Sequence, residues 1–244
     1  MVNWKALVAE FIGTFTLVFV GSAAVWFAKT TPGYAAGPLI PALAHGFAVV
    51  FAAYALGKIS GAHLNPAVTT AIAIAGGIDW VKAAFYIVTQ IVAALVAALL
   101  LNALLLPAAP SGAAVAAANF FGAFSYNTAV TTSIGALFTE AILTFFLAFA
   151  VVMGAVYGKA GDLAGLVIGL TLVMAIVAGG GISEASLNPA RSIGPALVAG
   201  KLDNIWIYII GPVLGAAAAA AVVRYVFDPN APPKTPPTRN TGRR

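Results

Sequence analysis

Six long apolar stretches constrain the fold of this chain more than any other feature of its sequence. The chain is 61% hydrophobic and only 8% charged, whereas an ordinary soluble domain has about 25% charged residues. A helix needs about 20 apolar residues to cross a membrane, and within lipid its backbone polar groups must pair inside the segment. The sequence therefore predicts an all-α membrane protein with six transmembrane helices. The stretches cover about residues 5–27, 38–58, 81–106, 132–157, 163–181 and 204–227.

A short segment occurs twice in the chain. Residues 60–68 read SGAHLNPAV and residues 183–191 read SEASLNPAR, with six of nine positions identical. In each copy Asn suits the N-cap of a helix and Pro suits its first position, where the missing N–H would have no partner anyway. The apolar runs that follow, 66–76 and 189–199, have 11 residues each. Each would span about 16 Å as a helix, which predicts a half helix that enters the membrane and stops halfway.

A second pair of segments indicates that a larger unit is duplicated. Residues 10–19 and 140–149 share six of ten positions, including Glu10 and Glu140. Each unit then holds three spans and one half helix, and an odd number of spans makes the second copy enter from the opposite face. We therefore predict an inverted repeat whose half helices meet near the middle of the membrane. The predicted organisation is a membrane domain over 1–227, with repeat one at about 4–106, a linking loop at about 107–131 and repeat two at about 132–227, followed by a tail at 228–244.

The basic residues predict the orientation in the membrane. Nine of the 12 Lys and Arg residues fall on the side of the two termini and three on the other, so both termini are predicted to be cytoplasmic. The tail has too few large apolar side chains to order itself. The net charge of +5 reflects this bias, and we expect no nucleic acid partner. The expected location is a cell membrane, either a plasma membrane or a bacterial inner membrane.

Catalytic chemistry has no basis in the sequence. The chain has no cysteine and two histidines, which do not combine with its few acids into a nucleophile–base pair or a metal cluster. We predict that the protein is not an enzyme and needs no cofactor.

A few polar residues fall at membrane depth, where polar groups need a role or a partner. Asn65 and Asn188 would lie where the half helices meet, and the two N-terminal dipoles, each worth about half a positive charge, would disfavour cations there. The alternative is that these asparagines only cap their helices. Arg191 is a permanent charge, and its counterpart in the first copy is Val68. We therefore predict a role for Arg191 at one end of a polar path only.

With these residues, the sequence over 4–227 resembles that of the aquaporins, or major intrinsic proteins. The paired Asn-Pro-Ala boxes and the matching glutamates carry the resemblance. It implies six tilted helices and two half helices around a single-file pore, assembled in the lipid bilayer as a homotetramer with one pore per subunit. The implied function is a passive channel for water and small neutral solutes that excludes protons and ions. The pore-centre residues are Asn65, Pro66 and Ala67 in the first repeat and Asn188, Pro189 and Ala190 in the second.

The resemblance also implies a selectivity filter at the outer end of the pore, formed by His45, Ile176, Ala185 and Arg191. Ile176 stands where strict water channels have a histidine, and no aspartate follows Arg191 as it does in glycerol facilitators. The set looks more like that of the plant tonoplast intrinsic aquaporins, which conduct water and often ammonia, urea or hydrogen peroxide. For His45 the alternative is a neutral histidine that only bonds between helices.

By the same resemblance, further residues support the loops before the half helices. Glu10 and Glu140 are expected to accept hydrogen bonds from loop backbone N–H groups, with a proton relay as the alternative. His63 is expected to buttress the cytoplasmic loop or to line the inner vestibule. Glu184 stands where the family usually has glycine; we expect it to face the outer solvent, with a pair to Arg191 as the alternative.

The sequence also leaves three alternative functions to consider. A glycerol-type facilitator would have the same six spans, half helices and Asn-Pro-Ala boxes. A secondary transporter would also use inverted repeats, but only Glu10 and Glu140 are candidates to bind its coupling ion. A non-conducting structural protein would not need the boxes and the filter.

Overall fold

The computed structural model describes residues 3–31, 37–105 and 124–227. Among these residues, six helices are long and apolar enough to cross a membrane, and two shorter helices begin at the Asn-Pro-Ala boxes. The predicted all-α architecture of six spans and two half helices is confirmed. The helices are α1 (Trp4–Thr30), α2 (Leu39–Ser60), half helix α3 (Pro66–Ile74), α4 (Trp80–Leu105), α5 (Ser133–Val151), α6 (Ala164–Gly179), half helix α7 (Pro189–Ala199) and α8 (Ile207–Val222). Two π-helical turns extend α5 over Val152–Val156 and α8 over Val223–Phe227, and a 3₁₀ turn at Gly161–Leu163 precedes α6.

Both half helices begin with the same cap. Asn65 has extended backbone, and its Oδ1 accepts the Ala67 N–H at 2.8 Å. Asn188 is also extended, and its Oδ1 accepts the Ala190 N–H at 3.0 Å. The prolines that follow occupy the first helical position, where no N–H is needed. Local capping is therefore sufficient to set where each half helix starts.

Half helix α3 ends at Ile74, two residues before the end predicted from the apolar run. Gly76 adopts a left-handed conformation with φ of 80°, and the Gly77 N–H bonds to the Ile72 carbonyl at 2.8 Å. This is the usual glycine-terminated end of a helix. Residues 75–76 continue the apolar sequence pattern, but the backbone leaves the helical conformation before Gly76 and Gly77.

The packing of the helices interlocks the two repeats. Helix α1 packs against α2 and α4, while α5 packs against α6 and α8. Between repeats, α2 packs against α6, where a Cβ on Gly46 would lie 2.7 Å from the Gly169 carbonyl oxygen. Half helix α3 packs against α8, and half helix α7 packs against α4. Each half helix thus lies on the last span of the other repeat.

Two predicted segments fall wholly or partly outside the described residues. They are the tail at 228–244 and the part of the linking loop up to residue 123, so the predicted repeat boundaries stay predictions. The described end of the linking loop contacts the loop before α7, because the Asn127 N–H donates to the Ile182 carbonyl at 2.9 Å.

Candidate functional site

Two cavities meet at Arg191. The first, the inner cavity, has a volume of about 610 Å³ and extends from Lys82 and Asp162 to Asn65, Asn188 and Arg191. The second, the outer cavity, has a volume of about 280 Å³ and is also lined by Arg191. Together the two cavities form a path along the molecule that is divided at this arginine.

The two box asparagines bond to each other's loops. Asn65 Nδ2 donates to the Leu187 carbonyl at 2.8 Å, and Asn188 Nδ2 donates to the Leu64 carbonyl at 2.9 Å. Each side chain thus caps its own half helix with its oxygen and holds the opposite loop with its nitrogen. An amide NH₂ group carries two hydrogens, so each asparagine retains one N–H that these bonds do not use. Both asparagines line the inner cavity.

The loops before the half helices have matching strained backbones. Ala62 and Leu64 in the first loop have φ of 48° and 56°, and Ala185 and Leu187 in the second have φ of 47° and 56°. Non-glycine residues rarely adopt this left-handed conformation. The same local geometry is therefore built twice, and it needs support from outside the loops.

Glu140 provides that support in the second repeat. Its carboxylate accepts the Ser183 hydroxyl at 2.7 Å and the backbone N–H groups of Ser186 and Leu187 at 2.9 and 2.8 Å. The residue is fully buried on α5. Hydrogen bonds to a charged group are among the stronger ones in proteins, so this acid holds the loop to the adjacent span.

Glu10 makes the equivalent set of bonds in the first repeat. It accepts the Ser60 hydroxyl at 2.7 Å and the backbone N–H groups of His63 and Leu64 at 2.9 and 2.8 Å. A further bond comes from Gln90 Nε2 at 2.8 Å. All the oxygens of both acids therefore face donors that belong to their own repeats.

His63 lies beside this network. Its Nδ1 is 3.3 Å from Thr69 Oγ1, its ring meets the edge of Tyr86 with 5.1 Å between centroids, and it lines the inner cavity. In the second repeat the hydroxyls of Ser186 and Ser192 lie 2.5 Å apart in the corresponding places. The larger histidine thus both braces its loop and contributes to the cavity wall.

Within the part of the chain that the structure describes, the buried Arg191 guanidinium makes two hydrogen bonds and one contact with an aromatic ring. Its Nε donates to His45 Nε2 at 2.6 Å, its Nη1 donates to the Ala185 carbonyl at 3.1 Å, and its Cζ lies 4.2 Å from the centroid of the Phe124 ring. His45 Nδ1 in turn lies 2.6 Å from the Pro41 carbonyl. A guanidinium carries five N–H groups, so three remain for other acceptors.

Two of the other predicted filter residues bond to this guanidinium, and the third shares a cavity with it. Ile176 and Arg191 line the outer cavity, while His45 and Ala185 are fully buried and contact Arg191 through hydrogen bonds. Helix α1 leaves space for the histidine at Gly21, where an added Cβ would overlap the His45 ring.

Comparison with known proteins identifies the family. The model of the family described as Major intrinsic protein matches residues 1–223. The chain belongs to the major intrinsic protein family. It is accordingly a multi-pass integral membrane protein of a channel family and not an enzyme.

Individual members of the family agree with this. The chain is 41% identical to "Aquaporin TIP1-2" of Zea mays, over 96% of this chain and 90% of that protein, and 41% identical to "Aquaporin NIP1-3" of Oryza sativa subsp. japonica, over 88% and 71%. It is 40% identical to "Glycerol uptake facilitator protein-like 6" of Lactiplantibacillus plantarum, over 90% and 97%. The X-ray structure of the aquaglyceroporin from Plasmodium falciparum superposes with a TM-score of 0.82 at 26% identity, covering 93% of this chain and 97% of that one. Similar identities to differently named relatives mean that overall similarity assigns the family and not a subfamily.

The structure adds residues to this major intrinsic protein's site that the sequence did not indicate. Glu184 Oε1 pairs with Lys29 Nζ at 2.7 Å, so the expected exposure to solvent is only partial, and the alternative pair with Arg191 does not form. Phe124 covers Arg191 from the linking loop. Lys29 precedes Glu184 by 155 residues, and Phe124 lies in a segment without a recognisable motif. Neither contact has a local sequence signal.

Proposed function

We propose that this protein is a passive channel for water that also conducts small neutral solutes such as ammonia, urea or hydrogen peroxide, and that it excludes protons and ions. The observation that carries the proposal is the pair of asparagines, which hold each other's loops, line the inner cavity and each retain one N–H that these bonds do not use. This arrangement lies beside two capped helix N-termini, as expected for a polar passage at membrane depth.

The asparagines act on the orientation of a passing molecule. In the proposed mechanism, the free N–H groups of Asn65 and Asn188 donate to the oxygen of a water at the pore centre. That water then directs its own hydrogens outward along the path, which interrupts a continuous chain of proton-accepting waters. The half-helix dipoles, each about half a positive charge at the N-terminus, add a barrier to cations. Pro66, Ala67, Pro189 and Ala190 complete the two helix starts.

Arg191 acts as the outer filter together with His45, Ile176 and Ala185. Its unused N–H groups offer donors to the oxygen or nitrogen of a solute, and its charge repels cations. Ile176 adds an apolar side chain to the wall of the same cavity, which favours a broader set of small solutes than a polar side chain there would. This composition supports the resemblance to tonoplast intrinsic aquaporins. The alternative is a glycerol-type facilitator, a class represented among the relatives.

The buried acids act as structural supports. We assign Glu10 and Glu140 to holding the loops, because the hydrogen bonds that their oxygens accept come from loop donors and, for Glu10, also from the Gln90 amide. His63 has the same role in the first loop. A proton relay would work against a pore that excludes protons.

The assembly is proposed to be a homotetramer in the lipid bilayer with both termini in the cytoplasm. Large apolar side chains are exposed along the spans, among them Phe47 at 57% and Phe138 at 62%. Such surfaces must face lipid or another subunit. The membrane we favour is a plasma membrane or a bacterial inner membrane.

Stopped-flow light scattering on proteoliposomes tests the proposal. We expect osmotic water flux well above that of empty liposomes, uptake of urea and ammonia, and slower uptake of glycerol. Proton flux, followed with an entrapped pH dye, should stay at the level of empty liposomes. Water flux equal to that of empty liposomes would overturn the channel assignment, whereas glycerol uptake faster than urea uptake would favour the facilitator. Solute uptake that requires an ion gradient would indicate a transporter.

A further inference from the structure

We propose that the ion pair between Lys29 and Glu184 is a positioning element of the outer filter and sets the solute selectivity of the channel. The inference rests on the proposed function and extends it to two residues that the filter does not include. Its basis is a chain of contacts that links the end of α1 to the guanidinium of Arg191.

The pair lies at the rim of the outer cavity. Lys29 belongs to the last turn of α1 and Glu184 to the loop before α7, and Nζ and Oε1 are 2.7 Å apart. Their side chains are 36% and 26% exposed, so the pair is neither fully solvated nor buried. Both residues line the outer cavity together with Arg191.

The loop backbone explains why a side chain here matters. Glu184 has φ of 64°, and Gly61 occupies the same place in the first repeat with φ of 97°. Glycine adopts this left-handed conformation readily, whereas any other residue is strained in it. A glutamate at this position therefore needs a compensating contact, and Lys29 provides one.

The next residue connects the pair to the filter. The Ala185 carbonyl accepts Arg191 Nη1 at 3.1 Å, and the N–H of the same peptide, that of Ser186, donates to Glu140. The pair of Lys29 and Glu184 fixes the residue directly before Ala185, so it holds the other side of the loop segment that orients the guanidinium. Helix α1 also packs against His45, the other hydrogen-bond partner of Arg191, because Gly21 leaves space for the His45 ring. One helix thus contacts both the His45 ring and the residue that precedes Ala185.

The asymmetry between the repeats supports a role in selectivity. Lys29 has a repeat counterpart in Lys159, but the counterpart of Glu184 is Gly61. Since glycine has no side chain, the equivalent pair cannot form at the inner end. The ion pair therefore occurs at the same end at which Arg191 replaces Val68.

Neutral variants of the pair test the proposal. Lys29→Gln and Glu184→Gln should each raise the ratio of urea to water permeability in proteoliposomes by about threefold, the size expected for a partly exposed ion pair. The double variant should shift the ratio no further than either single variant, because the two residues act through one interaction. The charge swap Lys29→Glu with Glu184→Lys should return the ratio toward wild type. Asp203→Asn, which removes an exposed acid elsewhere, serves as the matched control.

Glu184→Gly separates charge from backbone strain. It should shift the permeability ratio as Glu184→Gln does, while its apparent unfolding temperature should be higher than that of Glu184→Gln because glycine suits the left-handed backbone. Single variants with a wild-type ratio and intact water flux would overturn the inference while leaving the proposed function standing. A wild-type protein without water flux would instead overturn the proposed function.

Discussion

His45 Nε2 accepts a hydrogen bond from Arg191 Nε at 2.6 Å, while the opposite ring nitrogen lies 2.6 Å from the Pro41 carbonyl. A guanidinium can only donate and a carbonyl can only accept. These two partners therefore require a neutral histidine with its proton on Nδ1. The bond to Pro41 lies within α2, and the bond that His45 makes to another helix is the one to Arg191. The neutral histidine bonded between helices and the partner of the arginine are therefore the same arrangement.

Replacing this acceptor should change selectivity more than water flux. His45→Phe leaves the buried Arg191 Nε without its acceptor and puts an apolar ring beside the guanidinium. We expect reduced urea and ammonia uptake with water flux largely kept, measured by stopped-flow on proteoliposomes. Phe47→Leu, on an exposed face of the same helix, is the control. Unchanged urea and ammonia uptake in His45→Phe would argue against the filter assignment.

The space at Gly21 offers an independent route to the same phenotype. Gly21→Ala would push a methyl group into the His45 ring and displace it from Arg191. We expect the solute profile of Gly21→Ala to resemble that of His45→Phe. Val20→Ala, on an exposed face of α1, is the control. Wild-type selectivity in Gly21→Ala would mean that the ring position does not govern solute choice.

Loss of the Glu140 charge should destabilise the fold. Glu140→Gln replaces a carboxylate that accepts three hydrogen bonds with an amide that brings its own donors. Bonds to charged groups contribute about 1.5–3 kcal/mol each, so the apparent unfolding temperature in detergent should fall by several degrees. Asp162→Asn, at an exposed turn, should leave that temperature unchanged. Equal thermal stability of both variants and wild type would contradict a supporting role for Glu140.

A negative charge at the pore centre should weaken the barrier to protons. Asn188→Asp places a carboxylate beside the two helix N-termini and offsets their partial positive charges, which are about one half each. We expect proton flux above that of wild type in liposomes with an entrapped pH dye. Asn188→Ser keeps a neutral cap and should stay proton-tight. A proton-tight Asn188→Asp variant that still conducts water would show that these dipoles are not the barrier.

A single introduced cysteine can locate the path. The chain has no cysteine, so water flux in the wild type should be insensitive to mercuric ions. Ile176 lines the outer cavity, and Ile176→Cys should therefore become sensitive to them. Ile142→Cys, on an exposed surface of α5, should bind mercury without loss of flux. Resistance of the labelled Ile176→Cys channel would place this residue outside the path.

The sequence predicted what depends on local or repeated patterns. The starts of both half helices follow from an asparagine cap and a proline, which act within three residues. The need of Glu10 and Glu140 for partners followed from burying a charge in an apolar span. The early end of α3 at Ile74, before the left-handed Gly76, depends on backbone conformation, which the apolar pattern does not encode.

Contacts between distant segments could not be predicted in this way. The pair of Lys29 and Glu184 depends on how the end of α1 packs beside the second loop, and no periodicity relates the two positions. The contact of Phe124 with Arg191 likewise depends on the path of the linking loop. The broken symmetry at residues 184 and 191 did indicate which end of the molecule to inspect, although not the partner that Glu184 would find.

The crossed packing of the half helices has a consequence for biosynthesis. Half helix α3 lies on α8, which the ribosome makes last among the described helices, so α3 cannot reach its final contacts while the chain is still being made. The first repeat must wait in the membrane with α3 packed on α4 but without its contacts to α8. The two half helices therefore complete the pore together only after α8 has been made. A partly synthesised chain therefore has no finished pore, and the membrane stays sealed while the protein is inserted.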